Sequence, residues 1–298
     1  MTSRRLVKLL APATIVALLM TACAGDGKDG SDGASGGDTI RIGVVGAADS
    51  QWTVFKEKAA AEGLQVEIVD FSDYQVPNRA LADGELDLNQ FQHLQFLADF
   101  NVNTGSDLQP IGATAVYPLN LYSLEYASVE EIPDGATIAV PNDATNLARA
   151  LLNLQQAGLI ELADGGNSFS TEADVLPGSR VEVVPVDAAQ TATNLQGGSV
   201  QAAVINNDFV SKAGLTDDDI VYPDDPTGDA IKPYINIFVA RAEDKDDADY
   251  LKLVEIWHDP EVEAAVTEDS GGLAIFVDTP ATELQQILAD IEANAPAS

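Results

Sequence analysis

The feature that most constrains the fold is a regular alternation of apolar segments with amphipathic ones along most of the chain. Residues 39–46 (TIRIGVVG) are β-branched and apolar, which predicts a buried strand. Residues 49–63 predict a helix, with Ser50 as its expected N-cap. Residues 64–71 (LQVEIVDF) alternate in polarity and predict a second strand. Because strands separated by helices are typical of parallel sheets covered by helices, we predict an α/β fold with parallel sheets.

The same alternation continues towards the C-terminus. Further strands are predicted at residues 109–117, 136–140, 181–186, 200–206 and 234–240. Further helices are predicted at residues 78–83, 92–100, 145–157, 188–196, 206–213, 245–257, 260–269 and 281–293.

Two extended apolar segments predict crossings between two lobes. They are residues 114–123 (TAVYPLNLYS) and 232–241 (KPYINIFVAR), and the chain between them is long enough for one complete α/β lobe. We therefore predict that residues 39–120 and 237–298 form lobe 1, and that residues 121–236 form lobe 2. In open α/β sheets a ligand lies outside the carboxyl ends of the strands, so both lobes are expected to face one cleft.

The N-terminus has the pattern of an export signal. Three basic residues, Arg4, Arg5 and Lys8, precede an uncharged apolar run at residues 9–20. That run is too short to cross a bilayer as a helix, which takes about 20 residues. We predict that residues 1–22 are a signal peptide.

Cys23 is the only cysteine of the chain, so no internal disulfide is expected. The segment MTAC, with Ala22 before Cys23, resembles a bacterial lipobox, although Met20 stands where leucine is usual. The resemblance implies cleavage before Cys23 and lipidation of its thiol, as by palmitate; the alternative is an ordinary secretory signal with an incidental cysteine. Residues 23–38 are glycine-rich and predict a flexible tether with a reach of about 20 Å. A cell-membrane protein, lipid-anchored on the extracytoplasmic face, is therefore expected.

The charge excludes several classes of partner. The net charge is −33, with 48 acidic and 15 basic residues. Nucleic acid and anionic lipid headgroups both require basic patches, so neither is expected as a partner. An acidic surface favours a soluble monomer. No Walker loop and no GxGxxG after a strand is present, so no nucleotide and no other cofactor is predicted.

Four polar residues are candidates for binding a small zwitterion, because they lie on one helix face or in apolar strands. Arg149 lies one turn into an amphipathic helix, with Asn146 on the same face. A guanidinium can hold a carboxylate by two parallel hydrogen bonds. Asn206 ends an apolar strand and Asn236 lies inside another, where an unpaired amide costs about 1–3 kcal/mol. The alternatives are a surface arginine and asparagines that are satisfied by loop backbone.

Five rings are candidates for a side-chain pocket: Tyr74, Phe91, His93, Phe96 and Tyr117. An apolar, polarizable ligand side chain favours such rings, although they can equally be ordinary core. No metal site is expected, because a lone histidine without nearby cysteine lacks a ligand set. No catalytic residue is predicted, because no nucleophile stands in a recognisable motif.

Several long motifs are similar to those of one family. They are residues 73–93 (DYQVPNRALADGELDLNQFQH), 115–123 (AVYPLNLYS), 140–160 (VPNDATNLARALLNLQQAGLI), 203–206 (AVIN) and 233–241 (PYINIFVAR). In order and in content they resemble the methionine-binding lipoproteins, the substrate-binding components of methionine ABC importers. The resemblance implies a type II periplasmic-binding-protein fold, with two α/β lobes joined by two crossover strands and a ligand cleft between them. It implies methionine as ligand, an ABC permease and ATPase as partners, and no catalysis.

The resemblance also implies site roles. It places Asn146 and Arg149 at the α-carboxylate and α-amino groups of the ligand, and Asn206 and Asn236 at the same backbone atoms. Asp208 lies where the family is not expected to have an acid. Its carboxylate either turns toward the ammonium group of the ligand or faces solvent, and we predict that it faces solvent.

Gln95 and Phe96 depart from the proline and tyrosine that commonly follow FQH in the family. Phe96 keeps a ring but lacks a hydroxyl, and apolar walls discriminate weakly between ligands. Methionine of either hand, a methionine derivative, another apolar amino acid and a short peptide therefore remain open. A surface lipoprotein without transport and a surface hydrolase are the alternatives from other classes.

Overall fold

The computed structural model describes residues 39–225 and 229–295. The predicted signal peptide, Cys23 and the tether lie outside the described residues. The strands are β1 (Ile40–Val45), β2 (Val66–Phe71), β3 (Leu88–His93), β4 (Leu108–Ala113), β5 (Ala115–Val116), β6 (Leu121–Tyr122), β7 (Thr137–Pro141), β8 (Glu182–Val186), β9 (Ala202–Val204), β10 (Ile220–Tyr222), β11 (Asn236–Arg241) and β12 (Ile275–Phe276).

Helices separate most of these strands, and short 3₁₀ segments join several of the others. The α-helices are α1 (Ser50–Ala61), α2 (Pro77–Ala82), α3 (Leu94–Thr104), α4 (Ala144–Gln156), α5 (Ala188–Gln196), α6 (Asn207–Val210), α7 (Ala248–Trp257), α8 (Pro260–Asp269) and α9 (Ala281–Asn294).

The first sheet has the strand order β2-β1-β3-β11-β4. Strand β1 runs parallel to β2 and β3, whereas β11 runs antiparallel to β3 and β4. The sheet is therefore mixed, and the prediction of purely parallel sheets is wrong. Strand β11 enters from the returning segment and not through a helical crossover, so the rule that crossovers give parallel neighbours does not apply to it.

The second sheet has the order β10-β6-β9-β7-β8. Strand β7 runs parallel to β8 and β9, and the short β6 runs antiparallel to β9 and β10. A separate pair joins β5 to β12. The fold thus has two α/β lobes, one around each five-stranded sheet.

The sheets divide the chain in the order that the two apolar crossings predict. Strands of the first sheet come from residues 40–113 and 236–241, and those of the second from residues 121–222. The connecting segments are residues 114–120 and 223–235, of which 226–228 lie outside the described part of the chain. The lobe boundaries at residues 120 and 236 stay a prediction.

Helix positions are confirmed closely for α5 and α8, which have the predicted bounds. Helix α1 begins with Asp49 as N-cap, and Ser50 instead donates its hydroxyl to Asp269 at 3.0 Å. The predicted helix at residues 206–213 is the four-residue α6 followed by a 3₁₀ turn.

Strand β3 is not among the predicted strands, and the helix predicted at residues 92–100 overlaps its last two residues. Its sequence, LNQFQH, has no β-branched residue, yet all six positions are buried. Its amides are satisfied by side chains: Gln92 Nε2 donates to Asn89 Oδ1 at 2.9 Å, and Asn89 Nδ2 donates to Asn78 Oδ1 at 2.9 Å. Because these amides pair with one another, a polar strand is stable in the middle of the sheet. The short strands β6, β10 and β12 were also missed.

An aromatic core fixes the helices of lobe 1 on the first sheet. Phe55 from α1 stacks on Phe238 of β11 with ring centroids 6.1 Å apart, and Trp52 lies 5.3 Å from Trp257 of α7. Each of these side chains is at least 98% buried. Full burial of one such ring contributes about 1.5–3 kcal/mol or more, so this cluster anchors the strand ends that carry the site. No helix of the described segments is long and apolar enough to span a membrane.

Candidate ligand-binding site

A cavity lies between the two lobes, at the ends of strands from both sheets. Its empty volume, open solvent at its mouth included, is about 710 Å³, which is within the usual range for small-molecule sites. All nine residues predicted as ligand contacts line it. They are Tyr74, Phe91, His93, Phe96, Tyr117, Asn146, Arg149, Asn206 and Asn236.

Arg149 is held firmly at one end of the cavity. Its Nη2 donates to the Tyr117 carbonyl oxygen at 2.9 Å and to Asp224 Oδ2 at 2.6 Å, and its guanidinium carbon lies 4.3 Å from the ring centroid of Tyr234. The residue is 9% exposed. These contacts use both N–H groups of Nη2. A ligand carboxylate is therefore offered bonds from Nε and Nη1, and the predicted pair of parallel bonds is not available in this arrangement.

Asp224 and Tyr234 are site residues that the sequence did not single out. Asp224 Oδ2 also accepts from the Leu119 N–H at 2.9 Å, so its carboxylate is fixed to the first crossing segment. Asp224 lies on the side of Arg149 away from the cavity, next to Tyr234. These two residues orient the guanidinium from behind and leave its other face to the cavity.

Asn146 connects three parts of the site. Its backbone N–H and its Nδ2 both donate to Asp143 Oδ1, at 2.9 and 3.0 Å, where Asp143 caps α4. Its Oδ1 accepts from Asn206 Nδ2 at 3.0 Å and lies 3.4 Å from His93 Nε2. Asn146 therefore has its side chain occupied before a ligand arrives.

The side chain of Asn206, unlike that of Asn146, is only partly hydrogen-bonded. Among the residues that the structure describes, its Oδ1 is buried and has no hydrogen-bond partner. A buried acceptor without a partner costs about 1–3 kcal/mol, which a ligand donor recovers. Asn236, across the cavity, donates only a long bond of 3.5 Å from Nδ2 to the Tyr234 carbonyl oxygen, and it pairs in register with His93.

His93 joins a strand to a helix at the cavity wall. It is the last residue of β3 and the N-cap of α3, and its Nδ1 accepts from the Phe96 N–H at 3.1 Å. Because Nδ1 is an acceptor, the neutral ring carries its proton on Nε2, which faces Asn146 Oδ1. Burial, and then the positive charge of Arg149, lower the pKa of His93 to about 3. His93 is thus a neutral structural residue that presents its ring to the cavity.

Three aromatic rings form a wall of the cavity. Tyr74 lies 6.0 Å from Phe91 and 6.2 Å from Phe96, and Phe91 lies 5.8 Å from Phe96, between ring centroids. Gln95, where the family commonly has proline, is 3% exposed and does not line the cavity. Burial raises the pKa of Tyr117, so its hydroxyl is neutral at physiological pH.

From the sequence, Asp208 is expected to face solvent, and this expectation is wrong. It lines the cavity, and its Oδ2 accepts from the Tyr74 hydroxyl at 2.7 Å. Burial raises the pKa of its carboxyl group, while the hydrogen bond from Tyr74 and the charge of Lys212 oppose that rise.

The arrangement suits a small zwitterion with an apolar side chain. A fixed guanidinium, an unpaired amide acceptor on Asn206 and an aromatic wall lie around one cavity, and these are the partners that a free amino acid requires. Within the described segments, no group of three or more His, Cys, Asp or Glu residues is placed to hold a metal ion.

Two α/β lobes with a polar and aromatic cleft between them define the class of substrate-binding proteins with the type II periplasmic fold. Residues 40–277 match the NlpA lipoprotein family, and the chain belongs to that family. It is 36% identical, over 267 residues, to the D-methionine-binding lipoprotein MetQ of Salmonella typhi; the match covers 88% of this chain and 94% of the relative.

Solved structures show the same likeness. One is the substrate-binding protein of a methionine transporter from Streptococcus pneumoniae, at 38% identity and a TM-score of 0.73, covering 80% of this chain and 95% of that one. Another is a nutrient-binding protein from Burkholderia cenocepacia bound to methionine, at 34% identity and a TM-score of 0.72, covering 80% of this chain and 99% of that one.

Proposed function

We propose that this protein captures methionine in the cavity and delivers it to an ABC importer, and that it is not an enzyme. The observation that carries the proposal is Arg149, a buried arginine oriented by Asp224 and facing a cavity with an unpaired acceptor on Asn206 and an aromatic wall. The names of the relatives from Salmonella typhi and Streptococcus pneumoniae point to the same ligand.

The nine cavity residues would divide the ligand among them. Arg149 faces the α-carboxylate, and the amides of Asn206 and Asn236 face the backbone atoms of the ligand. The thioether lies against Tyr74 and Phe91, where a sulfur–ring contact contributes about 0.3–1.5 kcal/mol. His93, Phe96, Tyr117 and Asn146 complete the walls.

Binding would be coupled to movement of the lobes. The ligand contacts come from both sheets, so a bound ligand stabilises the form in which the lobes are together. That form is then the one that docks on the permease and its ATPase. The protein would act as a monomer held on the extracytoplasmic face by a lipid on Cys23.

Isothermal titration of residues 39–298, stripped of ligand by unfolding and refolding, tests the proposal against L- and D-methionine. Saturable heat with one site is expected for at least one enantiomer. Absence of both heat and thermal stabilisation at millimolar methionine would refute methionine as the ligand.

A second candidate keeps the receptor and changes its cargo. The observation in its favour is the departure at Gln95 and Phe96, since Phe96 lines the cavity without the hydroxyl of a tyrosine. Mass spectrometry of the ligand that co-purifies with the native protein separates the two. Methionine alone would dismiss this candidate, and another apolar amino acid, a methionine derivative or a short peptide would establish it.

A further inference from the structure

The cavity contains a carboxylate that the proposed ligand contacts leave unused. Asp208 lies two residues after Asn206, near the start of α6, and lines the cavity. An acid that is largely removed from water is costly unless a cation or hydrogen-bond donors compensate it. Its partners therefore show what the cavity is built to receive.

One oxygen of Asp208 is fixed and the other is not. The Tyr74 hydroxyl donates to Oδ2 at 2.7 Å. Tyr74 follows β2 of the first sheet and Asp208 follows β9 of the second, so this bond crosses the cleft between the lobes. Within the described part of the chain, Oδ1 has no hydrogen bond.

No side chain of the described residues forms an ion pair with Asp208 within 4.0 Å. Lys212 acts on Asp208 electrostatically, but Lys212 is exposed and its Nζ lies 5.6 Å from the ring centroid of Phe209. The other charged and titratable groups on this side are Asp49 and Tyr117, and neither is a cation. Asp208 therefore has no cation paired with it among the described residues.

A second acceptor lies on the same short segment. Asn206 Oδ1 is buried and without a hydrogen-bond partner among the described residues. An ammonium group has three donors and no acceptor, so a free carboxylate oxygen beside an unpaired amide oxygen matches it. At the other side of the site, Arg149 has the opposite charge.

We propose that Asp208 directly contacts the ammonium group of the ligand, together with Asn206, and that Tyr74 is a positioning residue that holds Asp208 across the cleft. This rests on the proposed function, because it takes the ligand to be an amino acid. It makes Asp208 a specificity-determining residue that selects ligands with a free α-amino group.

The competing explanation is that Asp208 only ties the lobes together through Tyr74. The two explanations differ in which ligand atoms they involve. A tie between the lobes affects every ligand equally, whereas a contact to the ammonium affects only the ligands that have one.

The test uses Asp208→Asn, which keeps the size of the side chain and removes the charge. Calorimetric titration is done with L-methionine, with its methyl ester, which keeps the ammonium, and with 4-(methylsulfanyl)butanoate, which lacks it. Affinity for methionine and for the ester is expected to fall about 10- to 100-fold, as for the loss of a hydrogen bond between charged groups. Affinity for the butanoate is expected to be unchanged.

Asp218→Asn is the matched control, because it removes one charge from an exposed acid in the same lobe. It is expected to leave all three affinities unchanged. Equal losses for all three ligands in Asp208→Asn, or no loss, would overturn the proposal. A wild-type protein that binds no methionine would instead refute the proposed function, and this inference with it.

Tyr74→Phe provides a second variant. The hydroxyl of Tyr74 lowers the pKa of Asp208, so its removal should shift the acid limit of methionine binding to higher pH. A variant that loses affinity equally at all pH values would contradict the positioning role, since a merely structural contact does not move that limit.

Discussion

Replacement of Arg149 separates a binding role from a structural one, provided that its partner is changed too. Arg149 forms an ion pair with Asp224 at 2.6 Å, with side chains 10% and 17% exposed, and packs on Tyr234 at 4.3 Å. Arg149→Met removes the charge and keeps much of the volume. It leaves the Asp224 carboxylate largely buried, with the Leu119 N–H as its hydrogen-bond donor among the described residues.

Two free energies are expected to change. Removing one partner of a buried ion pair costs about 3–5 kcal/mol, and the lost cation–π contact adds about 0.5–2 kcal/mol. The partial exposure of Asp224 keeps the total near the lower end of the summed range, so the free energy of unfolding should fall by about 3.5 kcal/mol. Methionine binding should weaken by about 2–5 kcal/mol, or roughly 30-fold to several thousand-fold.

The double variant Arg149→Met/Asp224→Asn is the deciding comparison. It leaves no uncompensated carboxylate, so urea denaturation should show most of the lost stability restored. Calorimetry should still show weak methionine binding, because the donors that face the cavity are absent. Methionine affinity that returns together with stability would refute a ligand-binding role for Arg149.

Three further predictions concern other parts of the molecule. Because the pKa of His93 falls to about 3, the unfolded chain binds a proton between pH 6.5 and pH 3 that the folded chain does not. His93 should therefore contribute a loss of about 1.4 kcal/mol of stability for each unit of decreasing pH in that window, and urea denaturation of His93→Asn should show a pH dependence without this contribution. A Cβ at Gly112 would lie 2.1 Å from Val254 Cγ1, so Gly112→Ala should lower the free energy of unfolding by about 1–3 kcal/mol. The double variant Gly112→Ala/Val254→Ala should lose less stability than the sum of the two single variants, and additive losses would contradict the clash. Cys23→Ala should move the expressed protein from the membrane fraction to the soluble fraction; retention in the membrane would refute lipid anchoring.

The sequence predicts the site better than it predicts the strands that build it. Arg149 and Asn236 are far apart in the chain, and both line the cavity as predicted. They could be predicted because each is a polar residue in an apolar setting within a long motif. Strand β3 could not be predicted, because its six residues lack the β-branched side chains on which strand prediction depends. Its stability comes from amide pairs that only the fold brings together.

The two acidic residues at the site, Asp208 and Asp224, could not be placed there from the sequence. Asp224 and Asp208 belong to a chain with 48 acidic residues, and nothing local distinguishes the two inside from those outside. The prediction that Asp208 faces solvent is wrong. What places it inside is a hydroxyl from the other lobe, a contact across 134 positions of sequence that no local pattern records.

The three contacts of Arg149 have a consequence for the thermodynamics of binding. A free arginine side chain has about 2 kcal/mol of rotamer entropy, which must be lost when it grips a ligand. Here Asp224, the Tyr117 carbonyl and the ring of Tyr234 restrict the guanidinium on folding, before any ligand enters. The site is preorganised at its charged end, so the ordering cost at binding falls on the ligand and on the lobes.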